Sequence, residues 1–150
     1  MKTLVAFALI AAAVAPPVAA QTGADFTGKW EGTIIFQRPD GTEVDTDPVI
    51  FNMTQKGEAL TGTVGSGEEQ WKINKGVIDA GKATFDVQQP DGPLWKFTLT
   101  IVKGRLQGEM TVERSGVVRV RGKIDAAKAK LSLAEIGQRA KTIRTSGAPQ

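Results

Sequence analysis

Carboxylates are the main candidates for catalysis in this sequence, because the other usual groups are missing. The chain has no His, no Cys and no Tyr, which excludes a Ser-His-Asp triad, a Cys-His pair and most zinc sites. Two carboxylates can still act together as general acid and base. The acids that alternate with apolar residues are Glu31, Asp86, Glu109 and Glu113. Such alternation places them on the outer face of strands, so the sequence predicts no catalytic residue and no enzyme.

A second group of acids lies between residues 40 and 47. Asp40, Glu43, Asp45 and Asp47 carry the oxygen ligands that calcium prefers, but their spacing does not follow the EF-hand loop. Asp40 precedes a glycine, and Asp residues in such surroundings are typical of turns. We therefore interpret Asp40, Asp45 and Asp47 as turn acids and predict no metal and no cofactor.

Segments of alternating apolar and polar residues are the elements that must position any site. This period of two, broken by Gly, Asp and Lys, is typical of a β-meander. Leu60, Ala83 and Leu106 are equally spaced, which indicates a hairpin that recurs in register. Eight strands in sequence close most simply into an antiparallel up-and-down barrel, with a flattened sandwich as the alternative. The predicted strands are 30–37, 48–54, 60–64, 70–78, 83–87, 95–101, 106–112 and 118–124.

The first 20 residues have the features of a secretory signal peptide. Lys2 precedes an apolar run over 4–15, and Val18 and Ala20 fit the small-residue rule for cleavage before Gln21. A membrane anchor is the alternative, but that run is shorter than the roughly 20 residues that cross a bilayer. We therefore expect export to the periplasm or the medium, with no transmembrane segment in the mature protein.

The rest of the chain divides into a β domain at 21–125 and a basic tail at 126–150. The tail carries one acid, Glu135, and its basic residues are Lys128, Lys130, Arg139, Lys141 and Arg144. Such a tail suits an acidic partner or an anionic surface, or it is merely solvated. Few residues are aromatic (6%), and no nucleic-acid partner is predicted. The spacing of Ser132 and Glu135 indicates a short helix, with a disordered tail as the alternative.

The start of the first predicted strand reads Gly28-Lys29-Trp30 and resembles the Gly-x-Trp motif of the calycin group of barrels, the lipocalins and avidins. The Leu-Thr-Gly-Thr-Val stretch at 60–64 is also similar to an avidin segment. The resemblance implies a calycin-like barrel with Trp30 closing one end and a late-strand arginine, Arg119 or Arg121, packing across it.

The resemblance does not extend to a known ligand. The position of the avidin asparagine that contacts biotin holds Gly32, and the chain has no Tyr to replace the avidin tyrosines. The Thr-Asp-Tyr motif and the disulfides of lipocalins are missing as well.

The predicted inner rows combine small and large residues. Gly32, Gly62, Ala83 and Gly108 leave room beside an apolar wall, which suggests a carrier for one small apolar molecule. The wall residues would be Trp71, Phe85, Trp95, Phe97 and Leu99. Alternatively, the glycines only let the strands coil, and the large residues fill the barrel. A filled barrel would favour an interaction module, such as a secreted inhibitor or an envelope-assembly partner, that uses its loops or its tail.

Overall fold

The alternating segments form nine β-strands in the computed structural model, which describes residues 23–130. No helix occurs in that part of the chain. The signal peptide and the helix predicted after Ser132 lie outside the described residues. The strands are β1 Gly28–Gln37, β2 Glu43–Lys56, β3 Ala59–Ser66, β4 Glu69–Lys72, β5 Asn74–Asp79, β6 Lys82–Gln88, β7 Leu94–Val102, β8 Arg105–Arg114 and β9 Val117–Lys128.

The strands form one closed antiparallel sheet. The order is β1, β9, β8, β7, β6, β5, β3 and β2, and β2 pairs again with β1. The short strand β4 pairs with the far part of β3. This order confirms the predicted up-and-down barrel and not the sandwich, with eight strands in the closed wall and β4 as one extra strand.

The predicted strand 70–78 is divided into β4 and β5 by an irregularity around Ile73. The Ile73 amide still donates to the Gly62 carbonyl at 2.9 Å, which keeps both strands along β3. Lys75 has a left-handed backbone (φ 52°), and the register of β5 on β6 shifts between Asn74 and Val77. A bulge of this kind strengthens the local bend of the wall, and alternation alone does not reveal it.

Strands β2 and β9 exceed their predicted bounds the most. β2 begins at Glu43 and passes through Pro48, because β3 pairs with β2 only from Ile50 onward. Pro48 has no N–H group to donate, but no β3 residue pairs with this part of β2, so no hydrogen bond to β3 is lost. β9 continues to Lys128 and buries Ala126. The domain boundary drawn at residue 125 thus falls inside the barrel.

The barrel has a closed end and an open end. At the closed end lie the segment 23–27, the turns 57–58, 80–81 and 103–104, and residues 129–130. At the open end lie the loops 38–42, 67–68, 89–93 and 115–116. Both ends of the described chain are therefore at the closed end.

Apolar side chains fill the middle of the barrel. Phe85 stacks on Phe97 with ring centroids 4.8 Å apart, and Phe51 meets Phe97 edge-on at 5.9 Å. Leu99, Leu106 and other inner-row residues are buried around these rings. No polar or charged residue within 23–130 is buried. The hydrophobic effect and close packing therefore hold this part of the barrel together.

Candidate ligand-binding site

Trp30 seals the closed end. Its side chain is 2% exposed, and its Nε1 donates to the Phe26 carbonyl at 3.0 Å. The Phe26 amide in turn donates to Gln55 Oε1 at 3.0 Å. Lys128 Nζ lies 5.4 Å from the centroid of the indole, on the neighbouring strand. Phe26 and Trp30 are both buried and together form the floor of the barrel at this end.

The expectation that Arg119 or Arg121 packs across Trp30 is wrong. β9 runs antiparallel to β1, so its last residue, Lys128, lies beside Trp30, whereas Arg121 pairs with Gln37 near the open end. Arg119 and Arg121 are both exposed. Gly28 is part of the same arrangement: a Cβ there would lie 2.8 Å from the Lys128 side chain, and its φ of 130° favours glycine.

The inner glycines do not leave free space. A Cβ on Gly62 would lie 1.9 Å from the Asn52 carbonyl oxygen, and one on Gly108 would lie 2.1 Å from that of Thr98. Gly32 is equally close to the Asp125 carbonyl oxygen. The interpretation that these glycines open a pocket is therefore wrong. They allow the close approach and coiling of adjacent strands, which was the alternative.

The candidate site is a cavity of about 170 Å³ at the open end. Of the predicted wall residues, Trp71 and Trp95 line it, whereas Phe85, Phe97 and Leu99 lie in the filled interior. The lining residues are Ile34, Phe36, Asp47, Pro48, Val49, Gly65, Ser66, Trp71 and Trp95. The space is therefore at the mouth of the barrel and not along its axis.

Three aromatic rings form a set of mutually inclined walls. Phe36 and Trp95 meet edge-on, with centroids 6.3 Å apart and planes inclined by 74°. Trp71 and Trp95 are 6.2 Å apart and inclined by 52°. β1, β4 and β7 carry these rings. Because Trp95 also packs against Phe97 at 6.3 Å, the filled interior holds it in place from below.

Trp95 carries a polar group that has no partner. Its Nε1 atom is buried and makes no hydrogen bond within the described residues. The corresponding atom of Trp30 is bonded to Phe26. A buried donor without an acceptor costs roughly 1–3 kcal/mol. An acceptor supplied by a bound molecule would remove that cost.

Asp45 and Asp47 belong to the inner row of β2, so their interpretation as turn acids is wrong. Asp47 pairs with Ile34 and Asp45 with Phe36, and directly opposed residues share one face of a sheet. Only Asp40 of the three lies in a turn, where its Oδ1 accepts from the Thr42 amide at 2.8 Å. That bond lowers the pKa of Asp40. The alternation Asp45, Asp47, Val49, Phe51 was the signal that could have shown this.

A shallower groove lies on the other side of Phe36. It is lined by Phe36, Arg38, Pro39, Val44, Asp45, Val112, Arg119 and Val120. Charges of both signs meet in this groove. In the aromatic cavity, by contrast, Asp47 is the one charged residue among the described lining residues.

Charge is distributed unevenly between the two ends. In or within three positions of the open-end loops, the acids are Asp40, Glu43, Asp45, Glu68, Glu69, Asp86, Asp91 and Glu113, and the bases are Arg38, Lys96, Arg114 and Arg119. At the closed end the acids are Asp25, Glu58 and Asp79, and the bases are Lys29, Lys56, Lys82, Lys103, Arg105, Lys128 and Lys130. The open end is thus acidic and the closed end basic.

The outward acids are not brought together as a catalytic pair. Glu31, Asp86 and Glu113 each face a lysine instead, Lys29 at 2.6 Å, Lys75 at 3.8 Å and Lys96 at 3.1 Å. Glu109 pairs in register with Lys123. Across residues 23–130 no group of three or more acids, His or Cys is placed to hold a metal ion. The same residues contain no helix long and apolar enough to cross a membrane.

Comparison with known proteins supplies a likeness of structure and not of sequence. No protein-family model matches the sequence, and no curated protein matches it. Among solved structures, the chain is similar to zebrafish ileal bile acid-binding protein complexed with cholic acid, with a TM-score of 0.40 and 16% identity. The match covers 69% of this chain and 98% of that one. A likeness this distant carries no argument about function, and the barrel is established by the strand pairing.

Proposed function

We propose that this protein is an exported, non-enzymatic barrel that binds a small, mostly apolar molecule at its open end. The observation that supports this most is the cavity formed by Phe36, Trp71 and Trp95 beside an indole N–H without a partner. Binding sites are typically concave, apolar and aromatic, with a few polar groups that orient the ligand. The mouth of this barrel has each of these features.

The volume limits the size of the ligand. Drug-sized molecules occupy pockets of roughly 300–1,000 Å³, whereas a cavity of about 150 Å³ holds one benzene molecule. A cavity of about 170 Å³ therefore suits one ring or one branched group of similar bulk. The Trp95 Nε1 atom has no acceptor among the described residues, and an oxygen acceptor on the molecule would satisfy it.

A non-enzymatic role is supported by the groups that surround the cavity. Its lining contains one carboxylate, one serine and no basic side chain among the described residues. The chain has no His, Cys or Tyr to pair with them. Without a base beside it, the Ser66 hydroxyl is not activated as a nucleophile.

Titration with 3,3-dimethylbutan-1-ol, a branched apolar alcohol, tests the proposal. Trp71 and Trp95 line the cavity, so binding should change the tryptophan fluorescence, with a dissociation constant in roughly the millimolar range for so small a molecule. Ser66→Leu fills the cavity from an exposed position and should abolish the change. Thr61→Leu, on the outer face of β3, is the matched control. Equal titrations for the two variants would refute a site at the mouth.

Export is tested separately by the intact mass of the protein that leaves the cell. Cleavage before Gln21 predicts the mass of residues 21–150. A mass that retains the first 20 residues would contradict export by this signal.

An interaction module is the second candidate function, and the filled interior favours it. Val44 and Val117 are also exposed on the open rim, at 51% and 50%. If the rim binds a protein, Val44→Asp with Val117→Asp should weaken in-cell cross-linking to that partner, while 3,3-dimethylbutan-1-ol has no effect on fluorescence. Alcohol binding that survives this double substitution supports the small-molecule site instead.

A further inference from the structure

We propose that the mouth cavity is an aromatic cage for the ammonium group of a small organic cation that also carries an oxygen acceptor. This inference rests on the proposed function, because it names the class of molecule that the same site binds. It follows from the arrangement of three rings, one carboxylate and one indole N–H.

The rings provide the first argument. A cation is attracted to the face of an aromatic ring, most strongly to Trp, and several inclined rings recognise quaternary ammonium groups. Phe36, Trp71 and Trp95 are inclined to one another by 52° and 74° and do not stack in parallel. Inclined rings leave a concave space between them, whereas Phe85 and Phe97, which stack at 16°, fill theirs.

Asp47 provides the second argument. It is the one charged residue among the described residues that line the cavity, and it belongs to the inner row of β2. No ion pair or hydrogen bond engages its carboxylate within 23–130. A carboxylate beside an apolar cavity favours a cationic ligand and repels an anionic one.

The size of the cavity and the distribution of charge over the barrel both agree with a small cationic ligand. About 170 Å³ accommodates a trimethylammonium group but not a long acyl chain. Acidic residues predominate around the open end and basic residues around the closed end. Such a charge distribution attracts cations to the mouth over roughly a Debye length of 8 Å at physiological salt.

The position of Trp95 specifies the second group on the ligand. Its Nε1 donor lies within the same ring that lines the cage. A hydroxyl or carbonyl oxygen a few bonds from the ammonium would accept from this donor. The ligand class is therefore a small amino alcohol or a related quaternary ammonium compound.

Choline and 3,3-dimethylbutan-1-ol separate this inference from the proposed function, because they share one shape and differ in charge. At constant ionic strength, we expect choline to bind about tenfold more tightly than the neutral alcohol. Asp47→Asn should remove most of that preference. Asp45→Asn, on the same inner row but in the groove beyond Phe36, is the control and should preserve it. Thermal melting of both variants verifies that they fold.

Each other result has a defined meaning. Equal affinities for choline and the neutral alcohol would overturn the cage and leave the proposed function standing. If neither choline nor the neutral alcohol binds, both the cage and the proposed function are refuted. Equal loss of preference in Asp45→Asn and Asp47→Asn would assign the effect to the general field of the rim and overturn the role of Asp47. Trp95→Phe should weaken both choline and tetramethylammonium through the weaker cation–π attraction of Phe. The acceptor predicts a larger loss for choline than for tetramethylammonium, which has no hydroxyl, and equal losses would refute it.

Discussion

The two ends of the barrel use the same residue type in opposite ways. At the closed end, Trp30 is buried, its Nε1 is bonded to Phe26 and Lys128 covers its ring. At the open end, Trp95 has an unbonded Nε1, and its ring borders a cavity. About 20 Å of strand β1 separate these environments, taking 3.3 Å for each residue from Trp30 to Phe36. The comparison shows that the chain itself satisfies the indole N–H at one end, whereas at the other end the N–H has no partner among the described residues and the ring borders a cavity.

The largest expected effect is at the closed end. Replacing Trp30 with Ala removes a buried indole, a hydrogen bond and the contact with Lys128, and buried Trp-to-Ala changes typically cost about 3–5 kcal/mol. Trp71→Ala, at the partly exposed mouth, should cost much less. Chemical denaturation of both variants measures the difference. Equal losses of unfolding free energy would remove the distinction between the ends.

Gly108→Leu should also destabilise the protein without affecting a cavity. Its Cβ would lie 2.1 Å from the Thr98 carbonyl oxygen, so backbone must move, and overpacking of this kind costs about 1–3 kcal/mol. Ser66→Leu adds similar bulk where space exists and should leave the melting temperature nearly unchanged. A stable Gly108→Leu protein with lost ligand binding would instead restore the interpretation that this glycine opens a pocket.

Replacing Trp30 or Trp95 with Phe tests how much the indole N–H group of each contributes to stability. Trp30→Phe leaves the buried Phe26 carbonyl without its donor and should cost about 1–3 kcal/mol more than the lost ring atoms alone. Trp95→Phe removes a donor that has no partner, so the loss should be smaller. Urea denaturation of the two variants provides the comparison. A greater loss for Trp95→Phe would show that its N–H is satisfied in the unliganded protein.

The smallest effect concerns the exposed pair between Arg105 and Asp125, which are 2.8 Å apart near the closed end. The hydrogen bond from Arg105 lowers the pKa of Asp125. Since the folded pKa is depressed, the pair stabilises the protein above the unfolded value of about 3.9 and loses this effect as pH falls through the folded pKa. Asp125→Asn should therefore lower the melting temperature slightly at pH 7, and this difference should shrink as pH falls through the folded pKa of Asp125. A difference that persists in acid would contradict this linkage.

Sequence alternation was sufficient to predict the barrel, because an inner row of large apolar residues and turns at regular intervals leave few alternatives. It was also sufficient to place Trp71 and Trp95 on the wall. It failed for Gly62 and Gly108, since a missing side chain indicates either free space or close backbone approach, and only coordinates distinguish them.

The acids of β2 were misinterpreted for a related reason. Asp45 and Asp47 continue the inner row of Val49 and Phe51, but acids near a glycine also suit a turn, and Pro48 suggested the start of a strand and not its interior. Strand β2 still pairs with β1 at this point but no longer with β3. Its inner row is exposed there and tolerates charge. The candidate site lies at this transition from interior to solvent.

The placement of residues 23 and 130 at the same end determines how the protein can be attached to anything else. A tag or a tether joined directly at residue 23 or residue 130 would hold the barrel by its basic, closed end. The aromatic mouth, at the opposite end of the strands, would then face away from the attachment. Attachment directly at residue 23 or residue 130 is thus a suitable geometry for measuring what enters the barrel.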